Sequence, residues 1–214
     1  MYLLKQQNNK DYETWETRYV LLLWLNILCL IPFDICSLDS SLSIVTTTEE
    51  GPSLLDDESS SKLVAQIADT CREYLCDPGP TREAASACLS SLLTRPDMDK
   101  GLLTKFMTVC NNIIMNWVEK GDEARNLLTT ESFQIIGVLH CIAQIYKKGD
   151  RNKLLVHCTN TLVPCLSLAL QNNQVIIRKL TTKLFQRIGM TFLPPRIASW
   201  RYKRGHSLTH SLTH

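Results

Sequence analysis

The chain has 214 residues, 44% hydrophobic and 21% charged, with a formal net charge of +2. That balance excludes an intrinsically disordered polymer and leaves room for one domain with a sizeable core or for several stacked repeats. Eight Gly and eight Pro are too few for the turn punctuation of a β-sandwich, and the periodic segments are built from helix-favouring residues.

The first apolar run, "RYVLLLWLNILCLIPFD", covers Arg18 to Asp34. Its core from Tyr19 to Ile31 falls short of the roughly 20 apolar residues a spanning helix needs. Asn26 interrupts it and Pro32 ends it. A secretory signal needs a net basic start and a small-residue cleavage site, but Lys5, Lys10 and Arg18 are offset by Asp11, Glu13 and Glu16. Because apolar residues occur all around this helix, it is expected to be a core helix with Trp24 buried and neighbours on several sides. Residues 37–61, rich in Ser, Thr, Asp and Glu, read as an acidic flexible loop.

Helical patterns fill the rest of the chain. Val64, Ile67, Ala68, Cys71, Tyr74 and Leu75 mark one face of a helix that ends before Asp77-Pro78-Gly79-Pro80. Thr81 is expected to cap the next, with Ala84, Ala85, Cys88, Leu89 and Leu92 inside and Arg95-Pro96 as its stop. "LLTKFMTVCNNIIMNWV" places Leu103, Phe106, Met107, Cys110, Ile113, Ile114, Trp117 and Val118 at three-four spacing, with Gly121 as terminator. Glu131 to Lys148 is apolar on two faces and ends at Gly149. Arg151 to Leu170 contains Pro164, where a kink or break is expected. Asn172-Asn173 leads into a final helix with Ile177, Leu180, Leu184 and Ile188 inside.

Two-faced apolar helices need neighbours on both sides, so the expected fold is all-α: an α-solenoid of HEAT/armadillo-type helical hairpins across residues 11–205. An irregular helical bundle is the alternative. The tail "HSLTHSLTH", residues 206–214, can be encoded by a repeated TCAC tetranucleotide. It reads as translated simple-sequence DNA, and the chain as a fragment of something longer.

Charge is distributed unevenly. Residues 1–150 carry 13 basic and 21 acidic side chains, whereas from Arg151 onward there are ten basic residues and no acid. Lys179, Lys183 and Arg187 recur every fourth residue, so they line one side of the final helix; Arg196, Arg201, Lys203 and Arg204 follow. These seven are the candidate partner-binding residues, suited to an acidic partner. Nucleic acid is disfavoured, since Trp200 and Tyr202 are the only aromatics near the basic tail.

The nine cysteines contain no C-x-x-C and are an odd number, which favours buried free thiols over a disulfide scaffold. His140-Cys141 and His157-Cys158 are weak zinc signals without a second ligand pair. No phosphate-binding loop, dinucleotide fingerprint, H-E-x-x-H or G-x-S-x-G occurs, so no catalytic, metal or cofactor residue is assigned.

The stretch "DYETWETRYVLLLWLNILCLIPFDICSLDS" resembles the tubulin-folding cofactor D (tubulin-specific chaperone D) family, through W-x-x-R-Y-x-L-L-L-W-L and L-I-P-F-D between Trp15 and Asp34. "LLTRPDM", "IAQIYKKGDR" and "RKLTTKLFQRIGMTFLPPRIASWRYKRG" extend the resemblance from Asp11 to Gly205. It implies a cytosolic helical-repeat protein that captures β-tubulin after chaperonin release. With cofactors E and C, such a protein assembles the αβ heterodimer and stimulates tubulin's GTPase. The resemblance also implies binding of an Arf-like small GTPase and links to microtubules and cell junctions. It implies GTPase activation only within the assembled complex, and the residues themselves give no sign of a cofactor or a membrane span. The competing reading is an adaptor that holds another acidic partner, or nucleic acid, through its basic C-terminal half.

Overall fold

The computed structural model describes residues 1–8, 11–35, 62–98, 101–120, 129–171 and 174–194. The expected acidic loop at 37–61, the Gly121 terminator, Asn172-Asn173 and the 206–214 tail lie outside the described residues. Within them the helices are α1 (Tyr2–Lys5), α2 (Trp15–Cys29), α3 (Lys62–Tyr74), α4 (Thr81–Leu93), α5 (Leu102–Glu119), α6 (Thr130–Lys148), α7 (Arg151–Gln171) and α8 (Val175–Phe192), with a short 3-10 turn at Pro96–Met98.

Three hairpins, α3/α4, α5/α6 and α7/α8, stack in order. Helices α2, α4, α6 and α8 pack side by side as one layer; α3, α5 and α7 lie behind them, with α5 packed on α7. Among the described residues the packed pairs run in sequence and never close α2 onto α8, as a bundle would require. The architecture is an α-solenoid, as the two-faced helices imply.

Helix α4 sits at the centre, covered by α2, α3 and α6. Of its thirteen residues only Glu83 is exposed, and its Ala, Ser and Cys side chains keep the neighbouring helices close. Its N-cap is Pro80; Thr81, the residue expected to cap it, is instead the first helical residue and is buried. The fixed proline φ of −67° already suits helix entry, so no side-chain cap is required. Helix α6 does use a side-chain cap: Thr129 Oγ1 accepts from the Ser132 amide at 3.4 Å and Ser132 Oγ accepts from the Thr129 amide at 3.3 Å. Helix α7 runs unbroken through Pro164. Buried Leu154 and Cys158 before the proline, and Cys165 and Leu168 after it, anchor both halves and outweigh one lost hydrogen bond.

Helix α2 departs from expectation. It buries one stripe, Arg18, Leu22, Leu25 and Cys29, against α4 and leaves the opposite side open. Trp24 is 63% exposed, Ile27 60%, Leu28 56% and Val20 42%. The reason is position: α2 ends its layer, with α4 on one side and no described helix stacked on the other. An all-round apolar sequence records what a helix can bury, not how many neighbours it has.

A single guanidinium fixes the end of α2. Arg95 Nη1 donates to the carbonyls of Cys29 and Ile31 at 2.6 and 2.8 Å, and Nη2 donates to that of Phe33 at 2.6 Å. The carboxylate of Asp97 orients it, accepting from Nε at 2.8 Å and Nη2 at 2.6 Å. Those bonds hold the Asp97 carboxyl below its usual range. The arrangement satisfies carbonyls left over at a helix C-terminus, where a cation is also favoured. Farther along the same helix, Arg18 is buried and donates to the Asn8 carbonyl at 2.9 Å and to Thr14 Oγ1 at 3.0 Å, tying down the segment that follows α1.

The described cysteines are all unpaired; Cys29, Cys71, Cys88, Cys110, Cys141, Cys158 and Cys165 are buried. Cys29 and Cys88 face each other across α2 and α4 with sulfurs 3.9 Å apart. That contact, then burial, raises the Cys29 thiol, while burial alone raises Cys165 to about 12. Thiols held neutral in this way act as small hydrophobes and are poor nucleophiles.

Leu22 and Trp24 separate the two sides of α2. Leu22→Asp should abolish soluble expression, because a buried unpaired carboxylate costs several kcal/mol, comparable with total stability. Trp24→Asp, on the open side, should leave the melting temperature within a few degrees of the parent. Loss of folding in both variants would contradict the one-sided packing.

Candidate protein-interaction face

The final helix presents two different sides. Ile177, Thr181, Leu184, Ile188 and Thr191 are buried. Leu180, an expected core position, is only half-buried. Lys179 and Lys183 are exposed, and neither makes an ion pair among the described residues. Arg187, the third member of the row, is half-buried, and its Nη1 donates to the Ala143 carbonyl on α6. Burial lowers its pKa. Two of the three stripe residues therefore face solvent, and the third is committed to holding α8 on α6. Arg196, Arg201, Lys203 and Arg204 lie outside the described residues.

The face continues onto α6 and α4. His140 is half-buried, with Nε2 3.4 Å from Gln144 Nε2. Burial lowers its pKa; Glu83 opposes this, whereas Lys183, Arg187 and Arg82 push it lower still. Those influences place His140 amid side chains from three helices. Lys147 is exposed two turns farther along α6. Arg82 on α4 stacks 5.8 Å above the Phe133 ring and donates to the Asp77 carbonyl at 2.7 Å.

Anchored cations on this side of the molecule use neutral acceptors. Lys148 Nζ reaches α4, 3.4 Å from the Ala87 carbonyl, 3.2 Å from Ser90 Oγ and 3.0 Å from Ser91 Oγ. Arg151 donates to the Leu193 and Phe192 carbonyls at 3.2 and 3.3 Å, closing the end of α8. Such bonds satisfy donors without cancelling charge. The ion pairs Arg72–Asp69, Arg95–Asp97 and Lys120–Glu131 lie before α7.

Sequence spacing identifies the α8 row but gives no sign that Lys147 and His140 belong beside it, nor that Arg82 is buried next to them. The signal for them is weak, because residues 82, 140 and 183 come together only through stacking of α4, α6 and α8, and Lys147 shares the His140 side of α6 by its seven-residue spacing. His140-Cys141 and His157-Cys158 do not form metal pairs. Cys141 is fully buried while His140 faces the groove, and His157 Nε2 lies 3.5 Å from Thr104 Oγ1. Among the described residues, no three His, Cys, Asp or Glu side chains cluster to hold an ion. None of the described helices is long and apolar enough to cross a membrane. A cavity of about 210 Å³ lies between α5 and α6, lined by Trp117, Asn116, Gln134 and the Lys120–Glu131 pair. It is smaller than the roughly 300–1,000 Å³ usual for small-molecule sites.

The family model described as "Tubulin-specific chaperone D-like, ARM repeat" matches residues 1–114, more than half of the chain. The chain belongs to the tubulin-specific chaperone D-like ARM-repeat family. A second model, "Tubulin-specific chaperone D-like, ARM repeats", matches residues 176–214, which include the α8 row. The chain is 31% identical over 208 residues to a tubulin-specific chaperone D of Dictyostelium discoideum, covering 94% of this chain and 14% of that protein. It is 26% identical over 200 residues to a tubulin-folding cofactor D of Schizosaccharomyces pombe, covering 91% of this chain and 15% of that one. It thus spans about one seventh of the length of these relatives. No solved structure matches it significantly. The ARM-repeat description of the family agrees with the stacked hairpins.

The different positions of the row's members are measurable. Arg187→Met should lower unfolding stability by about 1 kcal/mol, from the lost bond to α6. Lys183→Met should change it by less than about 0.5 kcal/mol, as for an ordinary surface site. Urea denaturation would read both, and equal effects would contradict the assignment of Arg187 to the α6–α8 contact.

Proposed function

We propose that the chain is a helical-repeat segment of a tubulin-folding chaperone and contributes to the capture of β-tubulin. The observation that carries this reading is membership of the tubulin-specific chaperone D-like family, together with relatives named tubulin-specific chaperone D and tubulin-folding cofactor D. The geometry is compatible with it. Stacked hairpins offer extended faces suited to a protein client, and the α5–α6 cavity is small for a metabolite. On this reading the segment is a binding module in the cytoplasm, associated with the cytoskeleton, and not an enzyme. Stimulation of tubulin's GTPase would belong to a complex with cofactors E and C, and an Arf-like small GTPase would be a further partner of the full-length protein.

Size-exclusion chromatography of the purified chain with purified β-tubulin tests this directly. Co-elution at low salt is expected. Separate elution of the two at every concentration tried would overturn the assignment of tubulin capture to this segment.

A further inference from the structure

We infer that the α6–α8 face is a docking site for an extended acidic polypeptide, seated along Lys179 and Lys183 on α8 and alongside His140 and Lys147 on α6. Four observations carry the inference. Lys147, Lys179 and Lys183 are exposed and make no ion pair among the described residues. The cations anchored beside them, Arg187 and Lys148, are bound to carbonyls and hydroxyls and keep their charge. Glu83 is the one acid among the charged groups found to act on His140, and it comes from α4. From Arg151 to the last residue the sequence holds no carboxylate side chain to neutralise the face from within.

Geometry favours a polypeptide. Four residues of helix rise about 6 Å, and alternate residues of an extended strand repeat at about 6.6 Å. Carboxylates at every second position of a strand therefore keep pace with Lys179 and Lys183. A nucleic-acid strand needs exposed aromatic platforms for its bases. On this face Phe133 is half-buried and carries the Arg82 guanidinium, so it is already occupied.

His140 gives the site a proton signature. The charged groups around it are Glu83 and Arg82 from α4 and Lys183 and Arg187 from α8, and burial with the three cations keeps its free-state pKa low. An acidic segment laid beside it adds carboxylates that favour the imidazolium. Its pKa is then higher in the complex than in the free chain. The added affinity is complete below the free-state value and is lost as pH rises through the bound-state value.

The test uses the 214-residue chain and a fluorescein-labelled peptide of ten glutamates, followed by anisotropy. Binding should weaken severalfold as salt rises from roughly 20 to 200 mM, because exposed charges are screened. Lys179→Glu with Lys183→Glu should weaken it roughly tenfold at low salt with an unchanged melting temperature. In the parent, affinity should rise severalfold from about pH 8 to about pH 6. His140→Gln should flatten that rise, bringing the ratio of the affinities at the two pH values close to one. Equal binding by parent and double-lysine variant would overturn the proposal. So would tighter binding of a ten-nucleotide single-stranded DNA through the same lysines. Peptide binding without tubulin co-elution would remove the tubulin reading and leave this one standing; the converse would remove only this one.

Discussion

The fold rests on how closely helices can approach α4 and the turn that leads into it. Position 137 on α6 is glycine, and a β-carbon there would lie 2.2 Å from the Leu75 carbonyl oxygen. That carbonyl belongs to backbone and cannot swing aside, so the contact tolerates no side chain. Across the same junction Ser86 Oγ, bonded to its own Arg82 carbonyl at 2.8 Å, reaches to 3.4 Å from the Gly137 carbonyl. With Ala84, Ala85 and Cys88 also buried, α4 is a thin spacer between α2 and α6. A close approach here sets where α6 lies, and α6 in turn sets where α8 stacks.

A second device recurs along the same layer. Arg95 reaches the end of α2, Lys148 the last turns of α4, and Arg187 the Ala143 carbonyl near the end of α6. In each case a cation meets oxygen acceptors on the neighbouring helix of the layer, and those of Arg95 lie at the C-terminal end of α2, where the helix dipole favours positive charge. Part of the chain's basic excess is therefore architectural. Lys147, Lys179 and Lys183 belong to another part of it, exposed on α6 and α8 with no acid paired to them among the described residues. The same feature explains why a segment rich in Lys and Arg needs no local acids to fold.

Much of the fold was legible in the sequence, because period-3.6 patterns report which side of a helix is buried. Phe106, Met107, Cys110, Ile114 and Trp117 are all inside, as their spacing requires, and the two-faced pattern of α6 reflects neighbours on both sides. Burial of α2 was overestimated, since composition cannot reveal that a helix stands at the end of a layer. The role of Arg95 was hidden because its acceptors lie some sixty residues away, and LLTRPDM reads locally as a helix stop followed by a turn. The candidate face was half legible. One helix supplies the periodic row, whereas His140, Lys147 and Arg82 join it only through stacking. Arg187 belonged to the row by spacing and to the core by contact, a distinction that requires the position of the Ala143 carbonyl.

An unyielding close approach at Gly137 organises the stacked layer. Urea unfolding of Gly137→Ala, set beside Gly189→Ala, tests it most directly. Gly189 lies in α8 with open space where a β-carbon would go, so alanine there should stabilise by roughly 0.5–1 kcal/mol through helix propensity. At position 137 the same propensity gain should be overwhelmed by overpacking, with a net loss of at least about 2 kcal/mol. Stabilisation of both variants would mean that α6 can retreat from the α3–α4 turn at little cost, and would contradict the account.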